Sequence, residues 1–219
     1  MNSQSNFINK LVYFGVAINR QLPKDFLCAY HDLEEFFVEA TLHLGDSSRV
    51  ARGILSWVEK YGYLLSPSKL RRLIKAEELK YDPATLGAFL SIIKTHNVLR
   101  KNWELLEAFT KVRENPRQLF SGPRVRRPNP DLLRYGIIAP LWPLDESKYL
   151  LPVKKILKNS IELKYRTMGV SQVPADLLSL LSKEKDAVLN LSQAAKRIFS
   201  FRSNVNMYYR MMKLTEQLG

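Results

Sequence analysis

The sequence predicts a mainly α-helical protein. Apolar residues recur at three- and four-residue spacing along most of the chain, and Ser-Pro and Asp-Pro pairs mark helix starts. A proline-rich segment interrupts this pattern after residue 114. With 219 residues, of which 46% are hydrophobic and 25% charged, the chain has the composition of a globular protein that can bury a sizeable core.

The stretch from residue 47 to 103 carries the clearest pattern, which predicts three short helices. Ser66-Pro67 and Asp82-Pro83 each place a side-chain oxygen where it can cap a first helical turn, and proline follows where a missing N–H costs nothing. We expect helices from 48 to 61, from 67 to about 77 and from 83 to about 96. Their apolar faces would be formed by Val50, Ile54, Trp57, Val58 and Tyr61, by Leu70, Leu73 and Ile74, and by Leu86, Phe89, Leu90 and Ile93.

This stretch resembles the winged-helix and helix-turn-helix superfamily of DNA-binding proteins, with residues 66–73 as the supporting helix and 82–90 as the recognition helix. Residues 98–103 fall where a wing would follow, although Asn102 could instead cap a helix that begins at Trp103. The resemblance implies that the exposed recognition face enters the major groove and that the supporting helix holds phosphates. The implied groove residues are Thr85, Gly87, Ala88, Ser91 and Lys94, and the implied phosphate contacts are Lys69, Arg71, Arg72 and Lys75.

This interpretation requires the helix that begins at Pro83 to be exposed. Its outer face lacks the Arg, Asn and Gln side chains that pair bidentately with bases. The alternative is a three-helix packing unit with a basic, solvated surface.

The basic residues are unevenly distributed. Residues 1–110 hold 14 Lys and Arg against 12 Asp and Glu, whereas residues 111–219 hold 20 against 9, so most of the net charge of +13 lies in the second half. This balance favours a polyanionic partner, either nucleic acid or an acidic protein. A basic chain without such a partner is the alternative.

The N-terminal region predicts two helices, from 6 to 20 and from 24 to 44. On the second, His31, Glu35, Glu39 and His43 recur every four residues, with Asp32 and Glu34 beside them. Such a ridge can bind a divalent ion, but a di-iron bundle needs a second helix with Glu-x-x-His, which the sequence lacks. We therefore expect a solvated acidic face and no metal site.

After a helix expected at 103–114, residues 115–130 contain four Pro and one Gly and cannot be a helix interior. The segment is either an ordered arm or a solvated linker. As an arm, it would present Arg124, Arg126 and Arg127 to phosphates or to a narrow minor groove. We take it to join a helical N-terminal domain, residues 1–114, to a C-terminal domain, residues 131–219.

The C-terminal domain is predicted to be basic and mainly helical. A strand is expected near 149–153, a short helix from Pro174, and a final helix or pair from 183 to 218. Between them, Lys154, Lys155 and Lys158 form a stripe that could face phosphates. Aromatic residues among the basic ones of the last helices could stack on a single strand, although at helical spacing they are more typical of a core.

No catalytic constellation is found. The nine Gly form no phosphate loop, and no G-x-S-x-G elbow is present, so we expect neither an enzyme nor a cofactor. The single Cys28 predicts a reducing cytoplasm, and the apolar clusters are too short to span a bilayer.

We expect a cytoplasmic DNA-binding protein, a transcriptional regulator or one of the antitoxin kind, with duplex DNA as its first partner. The alternatives are a helical protein-interaction module and an RNA-binding protein. A steep loss of affinity with salt would distinguish nucleic acid from an apolar protein partner.

Overall fold

The computed structural model describes residues 3–76, 80–96, 103–141, 146–183 and 190–217. Within these ranges the protein is mainly helical, which confirms the predicted fold class at this level. No helix in the described ranges combines the length and the apolar character needed to cross a membrane.

Short helices make up most of the described chain. Their bounds are α1 (Ser3–Tyr13), α2 (Lys24–Cys28), α3 (Leu33–His43), α4 (Ser48–Tyr61), α5 (Pro67–Lys75), α6 (Pro83–His96), α7 (Pro130–Leu133), α8 (Glu146–Tyr149), α9 (Val153–Asn159), α10 (Ile161–Thr167), α11 (Gln172–Lys183), α12 (Leu191–Arg197) and α13 (Arg202–Gln217). Two 3-10 helices, Gly62–Leu64 and Glu104–Phe109, and two parallel two-residue strands, β1 (Arg117–Gln118) and β2 (Ile137–Ile138), complete the set.

The three helices predicted at the centre of the chain are present as α4, α5 and α6. The Ser66 hydroxyl accepts a hydrogen bond from the Lys69 N–H, and Asp82 Oδ2 accepts one from the Thr85 N–H at 3.1 Å. These are the predicted caps, and they place both helix starts at the following proline. The possible wing and its alternative cap at Asn102 lie outside the described residues.

Other predicted bounds are wrong. The N-terminal helix ends at Tyr13 rather than residue 20, because Val16 forms an antiparallel bridge with Leu150. The helix predicted from 24 to 44 is broken into α2 and α3, because the Asp32 carboxylate caps α3 by accepting hydrogen bonds from the N–H groups of Glu34 and Glu35. Instead of a helix from 103 to 114 there is a short 3-10 helix, and the expected strand at 149–153 is only that single bridge.

Helix α6 lies inside the protein rather than on its surface. Residues 84–90 are all buried, and the helix packs against α3, α4, α7 and both 3-10 helices. Gly87 permits one of these contacts, since a Cβ there would lie only 2.1 Å from the ring of Tyr135. The predicted exposure of α6 is therefore wrong.

The described residues form two apolar cores, and the larger one extends across the 115–130 segment. The larger core contains residues from Phe7 to Leu163 and includes most of α1 and α3 to α6. A smaller core between α11, α12 and α13 contains residues from Leu177 to Val205. Leu119 and Phe120, within the proline-rich segment, pack against the larger core.

A buried ion cluster joins the helices of the two cores. The Lys69 ammonium of α5 lies 2.6 Å from Asp176 of α11 and 3.1 Å from Glu34 of α3, and it also contacts Asp32. A second cation, Arg166 of α10, contacts Glu34 and Asp176 as well and adds Glu162 to the cluster. All the side chains of the cluster are at most 3% exposed.

Arg166 bridges the carboxylates that Lys69 leaves partly unsatisfied. Its Nη2 donates to Asp176 Oδ1 at 2.6 Å and to Glu34 Oε2 at 3.0 Å, and it lies 2.6 Å from Glu162 Oε1. Its Nη1 also donates to the Leu64 carbonyl at 3.0 Å. The cluster therefore ties α3, α5, α10 and α11 to one another.

The first prediction concerns Lys69. In Lys69→Met the buried carboxylates lose their ammonium partner, and we expect the free energy of unfolding to fall by about 3–5 kcal/mol. Lys75→Met, on the exposed side of the same helix, should change it by less than about 0.5 kcal/mol. Urea unfolding followed by circular dichroism measures both values, and equal midpoints would contradict the role assigned to Lys69.

The second prediction concerns Gly87. Alanine favours a helix over glycine by about 1 kcal/mol, but in Gly87→Ala the new methyl group must displace Tyr135, and overpacking typically costs about 1–3 kcal/mol. We expect Gly87→Ala to destabilise the wild-type protein. The same change in a Tyr135→Ala background should be neutral or stabilising, and a double-mutant cycle of unfolding free energies tests this coupling.

Candidate nucleic-acid interface

Residues 120–127 form a loop, here called the arginine loop, that carries Arg124, Arg126 and Arg127. The extended segment 136–141 holds both ends of the loop. On one side, the N–H groups of Arg117 and Leu119 donate to the carbonyls of Gly136 and Ile138 at 2.9 and 2.8 Å. These two hydrogen bonds hold the N-terminal end of the arginine loop against segment 136–141.

The other end of the loop is held by the opposite edge of the same segment. The Asn129 N–H donates to the Ala139 carbonyl, and the Leu141 N–H donates to the Arg127 carbonyl, both at 2.9 Å. Backbone groups alternate sides along an extended chain, so these bonds face away from β1. The segment 136–141 therefore lies between the two ends of the loop.

Two further features shape the arginine loop. The Gln118 side chain crosses its base, where Nε2 donates to the carbonyls of Gly122 and Pro123 at 3.2 and 3.1 Å. Gly122 has a φ of 153°, a conformation that side-chain-bearing residues rarely adopt. These contacts brace the base of the arginine loop.

The charge of the loop is uncompensated. Residues 115–130 contain four Arg and no Asp or Glu. Arg124, Arg126 and Arg127 are exposed, and among the described residues no carboxylate pairs with them. Three guanidinium groups, each with a planar fork of donors, are thus free to meet an anion such as a phosphate.

A cleft of about 680 Å³ lies beside the loop. Its lining combines the guanidinium groups and Gln118 with apolar side chains from the loop and from segment 136–141. The apolar lining residues are Phe120, Pro123, Val125, Ile138, Pro140 and Leu141. This volume falls within the range of about 300–1,000 Å³ that is typical of ligand pockets.

The predicted phosphate contacts on α5 are only partly available. Lys69 is 0% exposed, so its predicted contact with phosphate is wrong, because its ammonium is enclosed by carboxylates. Arg72 is half-buried, and its guanidinium lies over the Phe201 ring at 5.6 Å from the centroid. Arg71 and Lys75 are exposed, and their role stays a prediction.

The predicted groove residues on α6 do not form an exposed face. Thr85 is buried, and its hydroxyl donates to Asp82, while Gly87 and Ala88 are buried as well. The Ser91 hydroxyl donates to Asp131 Oδ1 at 2.6 Å, and Lys94 pairs with Glu107. The assignment of Thr85, Gly87 and Ala88 to a major-groove surface is therefore wrong, because they are buried. Ser91 and Lys94 are half-buried, and their role stays a prediction.

Lys154, Lys155 and Lys158 are exposed on α9, as the predicted stripe requires. They lie on a different element from the arginine loop and from α5, so the predicted contacts form three separate sets. Their contact with nucleic acid stays a prediction.

Several residues near the arginine loop were not predicted from the sequence to take part in a site. Gln118 was not expected to brace the loop, and Lys111 and Arg117 line a neighbouring cavity of about 420 Å³ next to Asp82. Arg113 lines the same cavity and binds Asp82 at 2.7 Å. The only sign of these residues in the sequence is that two basic residues, Lys111 and Arg113, already precede the first proline of the 115–130 segment.

The ion cluster is the other grouping that could suggest a functional centre. Asp32, Glu34 and Asp176 have oxygens within 4.8 Å of one another, a spacing that suits a metal ion. However, the Lys69 ammonium already contacts all three carboxylates. We therefore assign the cluster a structural role. The solvated acidic face expected here is wrong for Asp32 and Glu34, which are buried.

The pKa values of the buried carboxyl groups in the cluster are shifted in different directions. Burial opposes ionisation of Asp176, but Arg166 and Lys69 outweigh it and lower the pKa of Asp176 to about 2. The same balance holds the pKa of Glu34 below its ordinary value. Burial and the charge of Asp176 raise the pKa of Glu162 well above its ordinary value. The two cations thus favour the ionised forms of Asp176 and Glu34, whereas burial favours the protonated forms of Glu162 and Asp32.

Protein-family models, curated proteins and solved structures yield no match to this chain.

The third prediction concerns Glu35, next to the cluster. Burial and the charge of Asp32 raise its pKa to about 7. A carboxyl group whose pKa is raised on folding stabilises the protein below its unfolded-state pKa, and this contribution is lost as the pH rises through 7. The free energy of unfolding of Glu35→Gln, relative to that of the wild type, should therefore rise by on the order of 2 kcal/mol between pH 4.5 and pH 8.

Chemical denaturation across this pH range measures the difference for Glu35→Gln. The exposed Glu104 provides the control, since Glu104→Gln removes a carboxyl group that lies outside the ion cluster. A Glu35→Gln difference that does not grow with pH would contradict the burial of an ionisable carboxyl group at this position.

Proposed function

We propose that this protein binds nucleic acid, without catalysis, and that the arginine loop is its main contact with the phosphate backbone. One observation carries the proposal: three exposed arginines lie on a loop that is held at both ends, and no carboxylate of the described residues pairs with them. Because the loop is already ordered, little backbone entropy is lost when it binds. A cytoplasmic location is part of the same proposal, in keeping with the single Cys28.

The burial of the ion cluster supports a polyanionic ligand. It removes four of the 21 acidic residues from the surface but only two of the 34 basic ones, Lys69 and Arg166. The remaining 32 basic and 17 acidic residues are more unbalanced than the whole chain. A field of this sign concentrates anionic ligands and speeds their association.

We do not propose DNA binding through a recognition helix, because α6, which was predicted to be that helix, is buried. Contacts to phosphates remain open to both duplex DNA and single-stranded RNA, since both carry the same charged backbone. A role in transcription would then require base recognition by other residues than those of α6.

A helical protein-interaction module is the second candidate, and one feature favours it. Phe201 is 65% exposed, and Met207 and Met211 on α13 are 48% and 55% exposed. Methionine side chains adapt to varied apolar partners, which suits a mainly apolar interface. Binding at such a face would change little with salt, unlike binding to phosphates.

The fourth prediction tests the arginine loop. We expect Arg124→Ala/Arg126→Ala/Arg127→Ala to weaken binding to random duplex DNA and to single-stranded RNA. If all three contact phosphates of the duplex, the slope of log affinity against log salt should become shallower by about 2–3. Fluorescence anisotropy over a salt series measures both the affinity and the slope.

The matched control is Lys24→Ala/Lys80→Ala/Lys196→Ala, which removes the same charge from exposed residues outside the loop. An equal loss of affinity in both triple variants would mean that overall charge, rather than the arginine loop, drives binding. Absence of any salt-dependent binding by the wild-type protein would overturn the proposed function and favour the protein-interaction module.

A further inference from the structure

We propose that the cleft beside the arginine loop holds one unpaired nucleotide of a single strand, with the base in the cleft and the adjacent phosphates on the arginines. This inference rests on the proposed function and names the form of nucleic acid that fits the site. It depends on the composition of the cleft, on the orientation of Gln118 and on the position of the loop arginines.

The composition of the cleft suits a flat, mostly apolar group with polar edges. Phe120 supplies an aromatic ring, while Val125 and Leu141 contribute aliphatic surface from the loop and from segment 136–141. Bases that lie free of a duplex are commonly bound by stacking on aromatic rings and on guanidinium planes. Both kinds of surface line this cleft.

Gln118 offers the cleft an oriented hydrogen-bond acceptor. Its Nε2 donates to two carbonyls, those of Gly122 and Pro123, and only the NH₂ end of the amide can do so. The amide is therefore fixed with Oε1 on the other side. Among the described residues no donor bonds to Oε1, and Gln118 lines the cleft. An exocyclic amine or imino N–H of a base is a suitable donor for it.

The arginines provide for the phosphates on either side of that base. Arg124 and Arg126 line the cleft and also a neighbouring cavity of about 650 Å³ on the loop. A guanidinium group can stack on a base with its face while its edge donates to phosphate oxygens. One loop can thus bind both parts of a nucleotide.

A duplex does not satisfy this site without being opened. Its bases are paired and stacked, so that only their edges are reachable, and extruding one base costs a few kcal/mol. The phosphates of a duplex can still meet the arginines, since these lie on the exposed side of the loop. The structure therefore predicts a preference for the single strand, with weaker contacts to the duplex.

Val125→Trp tests the cleft while keeping every arginine. Val125 lines both cavities, so a tryptophan there fills the space that the base would occupy. We expect the affinity for a single-stranded 12-nucleotide RNA to fall roughly 10-fold, since one stacked base contributes on that scale. The affinity for the matching duplex should stay within about twofold of the wild-type value, because the phosphate contacts remain.

Val153→Trp is the matched control, since Val153 is an exposed valine outside the cleft. Should Val125→Trp fail to fold, Leu141→Trp blocks the cleft from segment 136–141, at a residue that is 58% exposed. Wild-type affinity for the single strand in a folded, blocked variant would overturn the inference. Wild-type binding to the duplex that equals or exceeds binding to the single strand would do the same.

A competition experiment distinguishes a cleft that binds a single strand from one that binds a free nucleotide. Uridine monophosphate should not displace the RNA at micromolar concentration, because it supplies only one phosphate, and displacement would assign the cleft to a small nucleotide instead. These outcomes leave the proposed function standing, since the triple arginine variant tests it separately. Loss of all salt-dependent binding would instead remove the proposed function itself.

Discussion

The burial of Lys69 and Arg166 among four carboxylates is the interaction on which the rest of the fold depends. The larger core supplies Glu34 and Arg166, and α11 of the smaller core supplies Asp176, so the two cores are joined by ions rather than by apolar contacts alone. Charges are costly to bury unless each finds its partner, and the partners here come from positions up to 132 residues apart. These ion pairs form only when the four helices come together, which favours a single packing of the chain.

The same cluster links the fold to the proposed function. Four carboxylates are enclosed with only two cations, so the solvent-facing part of the chain is left more basic than its composition suggests. The arginine loop then concentrates this excess at one place, because no carboxylate lies in its segment. Its backbone is held by segment 136–141, whose own position is set by packing on α6 through α7 and Tyr135. A buried helix thus supports the exposed arginine loop.

Local features of the sequence were predictable and distant ones were not. The starts of α5 and α6 followed from a cap and a proline that are adjacent in the chain. Lys69 was placed on the surface because its neighbours Arg71 and Arg72 are basic, and its actual partners lie more than 30 residues away on either side. Thr85 and Ser91 suggested a polar face, yet their hydroxyls bond to Asp82 and Asp131. The arginines of the loop were visible in the composition, whereas the backbone bonds that order the loop depend on a segment that comes later in the chain.

The contact between Gly87 and Tyr135 has a consequence for how this surface could vary among related chains. The ring of Tyr135 occupies the space that a side chain at position 87 of α6 would need. The residues that follow Tyr135 form segment 136–141, which holds both ends of the arginine loop. The position of the arginine loop therefore depends on the absence of a side chain at Gly87. A related chain with alanine at this position would be expected to shift Tyr135, and with it segment 136–141 and the arginine loop.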